Sequence, residues 1–138
     1  MSGEKDLAVL LGSMSPSTTD DEYVFTTVSN INAVMHSGIK PKAMFEENEG
    51  TTLVLTVADA QLAQLPFVGI YRCITLNVHS SLEAVGLTAA VATALTEANI
   101  SANVIAAYFH DHIFVPSDKA QQAEDTLKAL AHKWQSQQ

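Results

Sequence analysis

At 138 residues the chain is one compact domain, or two small halves sharing a core, and it can bury roughly two-thirds of its unfolded surface without disulfides or a metal. A content of 47% hydrophobic and 16% charged residues is that of a packed globule and lies far from the high-charge, low-apolar range of disordered chains. Seven Lys and Arg against fifteen Asp and Glu give a formal net charge of −8, a field that repels phosphate backbones and anionic lipid, so neither nucleic acid nor a membrane is expected as a partner.

In chain order, Leu7, Leu10, Leu11 and Met14 fall at i, i+3, i+4 and i+7, the apolar stripe of a short amphipathic helix that Pro16 closes. The apolar run 7–11 follows Glu4, Lys5 and Asp6 and is too short and too acidic at its front for a signal peptide. No stretch reaches the ~18 apolar residues of a membrane span. Residues 17–22 read as a polar turn, and 23–28 carry aromatic and β-branched residues at strand density. Residues 30–36 predict a short helix, with Gly38 as its stop and Pro41 beyond. Segments 42–47 and 51–57 flank Asn48, Glu49 and Gly50, which reads as a hairpin. Residues 58–65 predict one or two helical turns ended by Pro66, and 70–78 form the strongest strand of the sequence.

In the second half, Leu87, Val91, Ala94, Leu95 and Ala98 mark one face of a helix, with Asn99 as a left-handed stop. Ser80 and Glu83 have capping-box spacing, which would start that helix a turn before Gly86. Residues 100–110 read as a long apolar strand, Asp111 as the turn, and 112–115 as the returning partner. Pro116, Ser117 and Asp118 open a last helix, whose buried face is Ala120, Ala123, Leu127, Leu130 and Trp134. The lone cysteine, Cys73, lies in an apolar run, which reads as a buried, inert thiol in a reducing cytoplasm.

Both halves thus read strand, helix, strand, strand, helix. The expected fold class is α+β, with ferredoxin-like βαββαβ units, an antiparallel sheet of about six strands and helices mainly on one face. Strand counting puts 70–78 centrally, beside 23–28, in one continuous sheet, because the second half lacks a final strand of its own.

The stretch GLTAAVATALTEANI, from Gly86 to Ile100, resembles the ACT-domain signature, in which a glycine opens the first helix and a small hydrophobic helix leads to a turn residue and Ile. Tyr108 and Asp111, with the strand 112–115, look like the hairpin of ACT-like pairs found in small bacterial proteins and in eukaryotic arginine sensors. The resemblance divides the chain into an N-terminal ACT-like half, 1–69, with its leading helix, and a C-terminal one, 70–138. It implies a non-catalytic regulatory protein that binds a small molecule, an amino acid first of all, and forms a homo-oligomer, a dimer or larger.

The implied ligand site is the loop His79, Ser80, Ser81, Leu82 and Glu83, together with Gly86 and Asp111. A helix N-terminus offers unpaired N–H groups and a positive dipole end to a carboxylate, a glycine admits close approach, and Asp111 is the partner for an amino group. Two departures stand out. Val85 replaces the proline common before the glycine, and Ala106 and Ala107 stand where the arginine sensors carry hydroxyl residues, which points to another ligand or to none.

Other constellations carry less. His110 and His112 are two imidazoles, fewer than the three or four ligands of a zinc site even with His79 as a third candidate, so no metal and no cofactor are expected. Ser80 or Ser81 with His79 and Glu83 supplies nucleophile, base and acid types, but helix capping explains them at lower cost, and no catalytic residue is assigned. A ligand-free interaction module is the alternative function, and a metal-dependent enzyme the third.

Overall fold

The computed structural model describes residues 6–35, 37–78, 81 and 84–135. Its elements are α1 (Leu7–Ser13), β1 (Pro16–Val28), α2 (Ile31–Met35), β2 (Ala43–Glu46), β3 (Thr51–Thr56), α3 (Val57–Leu62), β4 (Tyr71–Leu76), α4 (Leu87–Glu97), β5 (Asn103–Ala106), β6 (Asp111–Pro116), a 3-10 turn (Ser117–Lys119) and α5 (Ala120–Gln135). They form an α+β fold with one six-stranded sheet of order β2-β3-β1-β4-β6-β5. The strand–helix–strand–strand–helix unit occurs twice, and β1 and β4 hold the middle of the sheet, as strand counting predicts.

The chain divides into two compact units: one runs to Asp20 and resumes at Arg72, and the other is Asp21–Tyr71. In the second unit β1 pairs antiparallel with β3, from Tyr23 opposite Thr56 to Val28 opposite Thr51, and β2 pairs with β3 across the predicted hairpin. Leu53 and Leu55, two apart and so on one face of β3, bury against Val24 and against Val34 of α2 and Ala60 of α3.

The first unit has the larger core. Ile74 and Leu76 of β4 and Ile113 and Val115 of β6 share one face by the same alternation, and all three helices of the unit pack on it. From α1 come Leu10 and Leu11, both fully buried, which contribute about 1.5–3 kcal/mol each. Asp6 caps that helix by accepting from the Val9 N–H at 3.2 Å. From α4 come Leu87, Val91 and Leu95, and from α5 the predicted Ala120, Ala123 and Leu127 together with Ala131, while the predicted Leu130 and Trp134 pack at its margin, partly buried. Asn99 ends α4 in the left-handed region at φ 60°, as expected.

Four local expectations are corrected. Residues 17–22 are not a turn but part of β1, because their polar side and main chains find distant partners. Asn77 Nδ2 donates to Ser15 O at 2.7 Å and to Ser17 Oγ at 2.9 Å, and Arg72 donates from Nε and Nη2 to Thr19 O. The strand expected over 100–110 is only Asn103–Ala106. The reversal falls at 107–110, closed by Ala107 N–H donating to His110 O at 3.1 Å, so Asp111 is not the turn but the first residue of β6, opposite Ala106. Finally, α4 does not begin a turn early: Ala84 and Val85 are non-helical, and Gly86 is its N-cap.

Candidate functional site at the start of α4

Gly86 sits at φ 101°, in the left-handed region that a side chain disfavours, and a Cβ built there would stand 3.0 Å from Leu7 Cδ2. The glycine therefore lets α4 start sharply and lets α1 pack against that start. Being glycine, it supplies no capping side chain to the first turn of the 11-residue helix, whose N–H groups mark its positive end.

Beside this helix start lies a cavity of about 120 Å³, lined by Ser81, Ala84, Gly86, Leu87, Thr88, Ala106 and Asp111. The β5–β6 register delivers the last two, Ala106 and Asp111 being opposite one another. Three residues proposed from the sequence, Ser81, Gly86 and Asp111, thus meet at one cavity, while His79, Ser80, Leu82 and Glu83 lie outside the described residues. Sequence reasoning missed Ala84, Leu87 and Thr88 as lining residues, although Thr88 stands in the first helical turn, where a signal was available. Ala106, in the sequence the place of a missing hydroxyl, is a wall of this cavity.

Among the described residues Asp111 is the one ionisable side chain in the lining, and it is only 8% exposed. Burial raises its carboxyl above the ordinary value of 3.8, opposed by the charges of His112 and then His110. Those two rings stand 6.5 Å apart, nearly perpendicular, and their Nδ1 atoms are engaged elsewhere, His112 with Thr75 Oγ1 at 2.9 Å and His110 with Val78 O at 3.4 Å. Among the described residues no three His, Cys, Asp or Glu side chains gather as a metal site. Close in sequence to the lining residues, three apolar side chains are exposed among the described residues: Val85 between Ala84 and Gly86, and Tyr108 and Phe109 in the turn between Ala106 and Asp111. The two aromatic rings pack edge to face at 4.9 Å.

The Asp21–Tyr71 unit holds a larger cavity, about 460 Å³, at the junction of β1 and α2, lined by polar Thr27, Ser29, Asn30 and Ser37 and apolar side chains. It occupies the same place in the strand–helix repeat, but no ionisable group among the described residues lines it. The smaller cavity brings the Asp111 side chain and the first residues of α4 into one lining.

Two ferredoxin-like halves, each with a strand-to-helix junction beside a cavity, define a tandem α+β architecture. The chain belongs to the ACT-domain family: models described as ACT domain match residues 2–72 and 68–129. A solved Vibrio cholerae protein of unknown function, described as a possible transport protein, is 52% identical, with 92% of this chain and 97% of that one covered and a TM-score of 0.82. At 16% identity an Agrobacterium tumefaciens protein matches in fold, covering 86% of this chain and 89% of that one, with a TM-score of 0.69. So does the ligand-free regulatory subunit of aspartate kinase from Thermus thermophilus, at 9% identity, 86% and 96% coverage and a TM-score of 0.67. None of the curated proteins matches this chain. No helix among the described residues is long and apolar enough to cross a membrane.

Proposed function

We propose that this ACT-domain protein is a non-catalytic, cytoplasmic regulator that binds an amino acid, with the ligand carboxylate at the first turn of α4 and its ammonium group toward Asp111. The convergence of Ser81, Gly86 and Asp111 on one cavity carries the reading. It fits a zwitterion in charge: a positive helix end and a buried acid stand side by side. At about 120 Å³ the space is far below the ~300–1,000 Å³ of pockets that enclose a drug-sized ligand. It therefore suits the charged head group, leaving the ligand's side chain to meet Val85, Tyr108 and Phe109. The regulatory role accords with the name of the Thermus relative, a regulatory subunit. A lone, buried thiol, Cys73, accords with a reducing compartment. The reading keeps 1–69 and 70–138 as the two halves, and pairs copies through sheet edges into a homo-oligomer.

A second reading is favoured by the same exposed trio: a ligand-free module whose apolar rim docks a partner protein. Thermal-shift screening against the twenty amino acids separates the two. A ligand at ~100 times its Kd adds about 2.7 kcal/mol, an easily measured rise in melting temperature. The sensor reading expects one or a few amino acids to act and Asp111→Ala to abolish the effect; silence across all twenty leaves the docking module.

A further inference from the structure

Cations are scarce in the Asp21–Tyr71 unit. Its acids are Asp21, Glu22, Glu46, Glu47, Glu49 and Asp59, and its only lysines are Lys40 and Lys42, with no arginine. Both lysines face one recess of about 250 Å³, lined by Tyr23, Lys40, Pro41, Lys42 and Thr56, and none of the six acids lines it. Among the described residues neither lysine forms an ion pair, although acids outnumber them in the unit.

Their backbone is held. Pro41 fixes its own φ and keeps Lys40 out of the helical region, and the chain bends at Lys42 just before β2, so that both lysines border the one recess. Ile39, just before, is buried at 5% exposure, and the Lys42 N–H donates to Val54 O at 2.8 Å, pinning the segment at both ends. Over the buried Tyr23 ring, Lys42 Nζ sits 5.9 Å from the centroid, a cation–π contact that orients the ammonium without neutralising it.

We propose that this recess is a second binding site, for a compact oxyanion carrying two or more negative charges, a phosphate or a di- or tricarboxylate. Two ammonium groups on a braced segment supply the charge, and as point charges with rotatable donors they accept either geometry. The site shares no lining residue with the cavity at α4 and does not depend on an amino acid binding there.

Titration calorimetry and thermal shift with pyrophosphate and with citrate, each at physiological salt, test it on the full chain. Saturable binding of either probe is expected, and which of them binds tells phosphate from carboxylate. Lys40→Met and Lys42→Met should each weaken it at least tenfold, while Lys133→Met, on α5, leaves it unchanged. Both side chains are exposed, so the unliganded variants should melt with the wild type; if one does not, Lys40→Arg and Lys42→Arg must retain binding. Absence of saturable binding by both probes, equal loss in Lys133→Met, or undiminished binding in the two Met variants overturns the proposal.

Discussion

Asp111 stands between opposing influences. Burial raises its carboxyl above 3.8, and the neighbouring His112 and His110 pull it back only in part. The native chain therefore holds this proton more tightly than the unfolded one, and stability falls as pH rises from 3.8 through the raised native value. Above that window the ionised carboxylate is a standing cost to the fold, and a bound ammonium group would offset it. Asp111→Asn removes the charge at nearly constant volume. It should raise the melting temperature at neutral pH, flatten its decline above pH 3.8, and abolish the amino-acid shift. A variant that melts below the wild type at neutral pH would show the charge to be stabilising and refute the argument. That Asp111 comes close to the start of α4 was legible in the sequence, but its place on a strand was not. Asp is depleted in strands, whereas Tyr108 and Phe109 have strand composition, yet their rings lie 63% and 64% exposed on a turn, packed on each other.

The same misdirection acts on whole elements. Residues 17–22 have turn composition, Ser and Thr followed by acids, and become strand because their partners lie far along the chain. Thr18 Oγ1 donates to Glu124 Oε1 of α5 at 2.8 Å, across 106 residues. That bond is the main reason the Glu124 carboxyl lies below its ordinary 4.5; burial opposes it and Lys128, at 3.1 Å, assists. A depressed native value means stability present above 4.5 and lost as pH falls through the native value. Thr18→Val keeps the β-branched shape and should cost about 1 kcal/mol in urea unfolding at neutral pH. The gap to wild type should narrow once Glu124 is protonated; a gap independent of pH would assign the loss to packing. In α4, by contrast, the helix start was legible in Gly86, but for another reason than ligand access. A Cβ there would meet Leu7, a contact between residues 79 positions apart that no local pattern encodes.

Across the whole molecule, the repeated strand–helix–strand–strand–helix order was legible because buried faces impose periods of two and 3.6 on the sequence. The strand count also placed β1 beside β4 in the sheet. What lies at the sheet ends follows from charge. The outer strand β2 closes on the exposed Glu46, which deters pairing, although Met44 and Phe45 are exposed on it. The outer strand β5, Asn103–Ala106, carries no charge and leads directly into exposed Tyr108 and Phe109. An uncharged strand edge next to an aromatic pair is a template for another strand, and in a homo-oligomer the commonest partner is the same edge of a second copy about a two-fold axis. Sedimentation at micromolar concentration should therefore give a mass of at least twice the 14.8 kDa chain. Asn103→Lys combined with Tyr108→Lys puts two cations on that edge at exposed positions, where like charges from the two copies would meet. The double variant should sediment as a folded monomer with an unchanged circular dichroism spectrum. A wild-type chain that is already monomeric, or a variant that still associates, would remove β5 as the interface and leave the edge to be protected by its shortness, four residues, alone.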